Sequence, residues 1–332
     1  MIERKMEAQE AFAYTPGLKA KRRTKITKVR RLPLRGEVLV GVGDDVRHDQ
    51  IVARTYIQGD PIIADVASIL QIQPEEVFYY LLKKEGDTVK KDEALACLKA
   101  FSGLITRVAR SPTDGAIEKI SDITGQVTIR EAPIPIQLEA YVAGKVAGIM
   151  QGEGVVIETT GAFVQGIFGL GGETHGALKI LSDSGQDVIT EEDITPGCQG
   201  KVVVGRGQAS LDALMKAVEV KAPAVVVGGI KDEVLTSFLG EEIGIAITGE
   251  EKVGLTLVVT EGFSEIEMSK KTFNILREFE GYTASVNGAT QIRAGVVRPE
   301  IIIPHDLGED RGLSEVGLSA GIVPGTNVRL IR

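Results

Sequence analysis

The chain has 332 residues, 43% of them hydrophobic and 25% charged, the balance of an ordinary globular protein of two or three domains. Its net charge of −8 argues against whole-molecule attraction to nucleic acid. Its two cysteines, Cys97 and Cys198, are too few to ligate an iron–sulfur cluster or a structural zinc unaided.

No apolar run is long enough to span a bilayer, and the opening Met1-Ile2-Glu3-Arg4 does not have the form of a signal peptide. These features predict a cytoplasmic, reduced protein. Cys97 lies in Ala94-Leu95-Ala96-Cys97-Leu98 and reads as core.

Residues 1–35 form a basic N-terminal arm. Between 17 and 35 it carries Lys19, Lys21, Arg22, Arg23, Lys25, Lys28, Arg30, Arg31 and Arg35 and no acid. Without these nine, the chain holds 29 bases against 46 acids. The run has no aromatic residue to stack on bases, so it reads as an arm that docks on the acidic remainder, in the same chain or a neighbour, rather than on nucleic acid.

Residues 36–190 are organised by internal repeats. The stretch from Val42 to Ala53 aligns 43 residues later with Glu85 to Ala96, matching Gly43 with Gly86, Asp44 with Asp87, Val46 with Val89, Asp49 with Asp92 and Ala53 with Ala96. A glycine free to take positive φ, an aspartate bonding local amides and an inward valine spell a turn followed by a strand. A second repeat sets Asp114-Gly115-Ala116-Ile117 against Ala143-Gly144-Lys145-Val146, 29 residues on. Between the two copies of the first repeat, Asp65 is placed to cap a short helix over Val66 to Leu70, and Pro74 to open another turn.

This paired turn grammar resembles the barrel-sandwich hybrid, the small β scaffold of biotinyl and lipoyl carrier domains, here duplicated. It is also similar to the N-terminal regions of the C subunit of Rnf complexes and the A subunit of sodium-pumping NADH:quinone reductases. The resemblance implies a β scaffold built from two interlocking half-motifs. A carrier would need a lysine at the hairpin tip between half-motifs; the tip reads Ala100-Phe101-Ser102-Gly103-Leu104, with Lys99 ahead of it and no acceptor tripeptide.

Residues 195–305 read as an α/β domain with a mostly parallel sheet. Apolar strands at Lys201 to Val204, Ala224 to Val227, Ile243 to Ile247 and Leu255 to Val259 alternate with amphipathic helices. Ser210 caps one helix, Lys231 to Leu239 forms a second that Gly240 stops, and Ser269 caps a third that runs to Phe279. The tail 306–332 resembles the first strand of an SH3- or KOW-like barrel. The fold class expected is therefore α+β and multidomain, an all-β N-terminal region followed by an α/β domain.

Three loops are candidate ligand sites. The cluster from Gly166 to Gly176, with Gly169, Gly171 and Gly172, resembles the glycine-rich flavin/NADH loop of the Rnf C subunit, and its amides could cradle phosphate; the competing reading is glycine-rich hairpins. Gly205, Gly207 and Ser210 join a strand to a helix N-terminus, an anion geometry or a structural turn. Asn287, Gln291 and Arg293 offer hydrogen bonds and an anion partner, or else a satisfied turn or an inter-subunit contact. His48, His175 and His305 lie in three separate segments without metal spacing, and no catalytic constellation stands out.

The reading that results is a non-catalytic scaffold that self-associates, as a homo-oligomer, or docks into a larger complex through its β region and basic arm, with no cofactor. The alternatives are a flavin- or nucleotide-binding subunit of an Rnf-like redox complex and, more remotely, a biotinyl/lipoyl carrier.

Overall fold

A computed structural model describes residues 18–100, 105–181, 188–240, 254–290 and 297–306. The protein is mostly β, and eleven strands form one large mixed sheet. At its centre four parallel strands lie in the order Thr256–Gly262, Ala224–Gly229, Lys201–Val204 and Glu173–Ile180. All six residues of Ala224–Gly229 are buried, as a strand covered on both faces requires.

Helices Leu211–Glu219 and Asp232–Leu239 cover one face through Ala213, Leu214, Ala217 and Leu235. Helix Lys270–Glu278 covers the other through Phe273, Ile275 and Leu276. Their ends carry the stop and start signals expected. Ser210 Oγ accepts from the Ala213 amide, Ser269 Oγ from the Thr272 amide, and Gly240 ends its helix at φ 72°.

The sheet is mixed because the chain returns past its parallel centre. Strand Thr283–Asn287 pairs antiparallel with Glu173–Ile180, and Glu300–Pro304 pairs antiparallel with Thr283–Asn287. Next comes the long Gly154–Gln165 strand, whose far half also pairs with Gly144–Met150. One continuous sheet thus carries the α/β segment into the repeat region. Strand Glu173–Ile180 falls within the span 36–190 by sequence, yet its sheet neighbours are Lys201–Val204 and Thr283–Asn287. The expected strand at 243–247 and nearly all of the tail lie outside the described residues.

The repeats prove to be nested. Asp45–Val46, from the first copy of the first repeat, pairs with Gly144 and Lys145 of the later second-repeat copy. Thr88–Val89 pairs with Gly115 and Ala116 of the earlier one. The two turns match bond for bond. Gly43 and Gly86 have φ of 93° and 88°. Asp44 Oδ2 accepts from the Gly41 amide at 2.7 Å and Asp87 Oδ2 from the Lys84 amide at 2.9 Å. The Gly43 and Gly86 amides donate to Val146 and Ile117 carbonyls, both at 2.8 Å.

An inner β unit, 61–130, therefore sits inside an outer one. The inner unit has its own core of Leu70, Val77, Leu95, Ile117 and Ile129, and among the described residues its strands pair only with one another. Its helix Val66–Leu70 is capped by Asp65 as expected, and a second, Val77–Tyr80, follows the turn at Pro74. Leu95 and Ala96 are sealed in this core, whereas Cys97 is only half-buried. The outer unit closes its core of Val46, Val52, Val142, Val146 and Ile157 against Ile302 of the large sheet.

Candidate functional site

The arm, the outer unit and the large sheet meet at one polar cluster. Glu173, Asn287 and Glu300 are register partners across three adjacent strands and so lie side by side on one face. Two residues along, His175 stands opposite Ser285.

Arm strand Ala20–Arg31 brings cations to this row. Lys28 Nζ contacts both oxygens of Glu300, at 2.6 Å from Oε2. Arg30 forks over Glu173 with Nη1–Oε1 at 2.6 Å and Nη2–Oε2 at 2.7 Å, and its Nε donates to the Glu139 carbonyl. Arg22 reaches Glu278 with Nη2–Oε1 at 2.6 Å, and Lys25 pairs with Glu158. The arm docks on acids of its own chain.

Tyr141, from the outer unit, sits at the middle of the cluster and is 5% exposed. Its hydroxyl donates to Glu300 Oε1 at 3.2 Å, and its carbonyl accepts from Ser285 Oγ at 2.5 Å. Lys28 and Arg30 stand 5.9 and 5.4 Å from its ring centroid. Its backbone is left-handed, with φ 69°, a conformation that costs a bulky residue about 1–3 kcal/mol and persists only where the surroundings impose it. Burial, with Glu300 and Glu173 nearby, pushes the phenol well above its ordinary pKa of 10.0, so Tyr141 is a neutral donor at physiological pH.

At the rim the rings of His48 and His175 lie 4.1 Å apart, tilted by 54°. His48 belongs to the first glycine–aspartate turn of the outer unit, and His175 to the sheet. Burial, then His175, holds the His48 pKa below the ordinary 6.5; Arg47 acts the same way, while Asp49 and Glu139 oppose it.

Two carboxylates, two cations and a neutral phenol compensate one another, so the cluster locks three parts of the fold together. Among the described residues, no three His, Cys, Asp or Glu side chains are grouped so that they could hold a metal ion. A recess of about 410 Å³ beside the outer unit, lined by Gly36, Glu37, Val38, Val40, Ile149, Gln151 and Gly152, has one ionisable group, Glu37, already paired with Arg54 at 2.9 Å.

Of the sequence candidates, the structure brings two loops together. Gly169 lies in strand Phe168–Leu170, which pairs with Thr256–Gly262, and its amide donates to Thr290 Oγ1 at 2.8 Å. Gly171 turns the chain at φ 81° and Gly172 is exposed. A Cβ on Gly288 would overlap the Leu170 carbonyl, so these glycines allow two backbones to touch. Asn287 belongs to the polar row, and its Oδ1 accepts from the Ala289 amide; Gln291 and Arg293 lie outside the described residues.

Gly205, Gly207 and Ser210 sit at the C-terminal edge of the parallel strands, apart from that pair of loops. The Gly207 carbonyl accepts from the Gly228 amide at 2.8 Å and the Arg206 carbonyl from the Met268 amide at 2.6 Å. Arg206 is paired with Glu267 and Lys231 with Glu265, and Asp232 and Glu233 open the adjacent helix. This edge is rich in acids, which work against a bound anion.

Sequence reasoning missed the polar cluster. Its one local sign is the alternation of Lys28 and Arg30 within the basic run; their partners are 272 and 143 residues away. The two histidines likewise come together only through the docking of the outer unit. Comparison with protein-family models, curated proteins and solved structures finds no match.

Proposed function

We propose that this protein is a non-catalytic scaffold that associates with copies of itself or docks into a larger complex through its β region. The observation that carries the reading is the surface of the inner unit. Its helices and turns leave Ile69, Phe78 and Leu82 about half exposed, and Ile123 and Tyr79 at 83% and 85% exposure. Aromatic and large aliphatic side chains left outside a unit that has a complete core of its own are typical of association surfaces.

The matching turns of the nested units support reading both as barrel-sandwich hybrids. The polar cluster, with its charges compensated, suits a structural joint better than a reaction centre.

Sedimentation velocity at micromolar concentration tests the reading. The parent chain is expected to sediment as a dimer or larger, and a Phe78→Ser/Tyr79→Ser variant to shift toward the monomer. A monomeric parent that also recovers no partner in a pull-down overturns it.

A further inference from the structure

The arm strand Ala20–Arg31 has two kinds of side chain. Ile26 is buried in the outer core, and Lys28 and Arg30 are held by Glu300 and Glu173. Lys21, Arg23, Lys25, Thr27, Val29 and Arg31 remain exposed. Lys25 and Arg31 contact Glu158 at 2.8 Å and Glu153 at 3.9 Å, but their side chains are 67% and 65% exposed. Such surface pairs hold their cations weakly.

The strand is also an edge. Among the described residues it pairs with Gly154–Gln165 and with no other strand along its twelve residues. Its Arg22 carbonyl is bonded to His305 Nε2 at 2.8 Å, which occupies one point on it. An edge of this length is a template for another strand, and outward lysines commonly guard such edges against self-pairing. Here that protection is specific: two antiparallel copies would set a row of cations against a row of cations, which is destabilising.

We infer that this edge receives an acidic, extended segment of a partner protein, which adds to the sheet as a further strand with its carboxylates beside Lys25 and Arg31, whose register partners Thr160 and Gly154 place them on one face of the sheet. A strand edge offers both N–H donors and C=O acceptors, and a peptide backbone answers both. A nucleic-acid backbone brings phosphate acceptors alone, and residues 17–35 hold no aromatic side chain to stack on its bases. Val29 is the one large apolar side chain exposed on the strand, too little to anchor it in a membrane. The inference deepens the scaffold reading and rests on it for its purpose, but the two fail separately. Sedimentation of the inner-unit variant reports self-association, and peptide binding reports this edge.

The test is fluorescence anisotropy of the full chain with three labelled probes: a ten-residue alternating Glu-Val peptide, a Glu-Pro peptide of equal length and charge, and a ten-thymidine DNA strand. The Glu-Val peptide is expected to bind, and the Glu-Pro peptide, which lacks half of the amide donors, to bind at least about tenfold more weakly. The double variant Lys25→Glu/Arg31→Glu should lose at least about tenfold in affinity while melting with the parent. If that variant does not fold, the corresponding double glutamine variant reads the same loss. Absence of Glu-Val binding, equal binding of the two peptides, tighter binding of the DNA, or a folded variant that binds like the parent overturns the inference.

Discussion

His48 and Tyr141 have titration behaviour set by where the fold places them. A histidine whose pKa is lowered in the folded state binds its proton more readily when unfolded. The contribution of His48 to stability is therefore present above 6.5, its unfolded value, and is lost as pH falls through the folded one. The groups facing it are His175 from the sheet, Arg47 and Asp49 from its own turn, and Glu139 from the neighbouring strand. Urea midpoints measured at pH 7.5 and 5.5 should fall more for the parent than for His48→Asn. Equal losses would remove His48 from the account. Tyr141 belongs to a different range, since a phenol held above 10.0 stays neutral across this interval.

Among the elements, the glycine-rich turn from 166 to 172 separates packing from ligand binding. A Cβ at Gly288 meets the carbonyls of Leu170 and Gly171, whereas one at Gly172 meets nothing within 4 Å. Gly288→Ala should cost about 1–3 kcal/mol through overpacking, and Gly172→Ala should be close to neutral. Urea unfolding of the two variants checks this, and equal effects would contradict the close backbone approach. The arm is the other informative element. Lys28 and Arg30 are committed to Glu300 and Glu173 on one face of the sheet, and the irregularity between Lys21 and Thr24 turns Arg22 to Glu278 of the helix on the other, so a run of like charge becomes a strand held from both faces.

For the whole molecule, nesting makes a sharp claim about independence. The chain leaves the outer unit after Ile57 and returns at Ile134, and these two residues are antiparallel register partners. Replacing 58–133 with an Asn-Gly turn should close a hairpin there and leave the outer unit and the large sheet folded. Hydrogen exchange of the shortened chain, compared with the parent, checks this. Loss of protection in Gly154–Gln165 would show that the inner unit supports the rest.

The sequence by itself determined the local grammar: the glycine–aspartate turns, the helix caps at Asp65, Ser210 and Ser269, the stop at Gly240 and the apolar parallel strands. Each depends on side chain and backbone within a few residues, so pattern alone reveals it. Only tertiary structure decided which repeat copy pairs with which, because identical turns carry no label of their partner. Tertiary structure alone also joined the α/β segment to the repeat region through the Gly154–Gln165 strand. It likewise gathered Lys28, Arg30, Tyr141, Glu173 and Glu300, whose attraction acts across space between residues far apart in the chain.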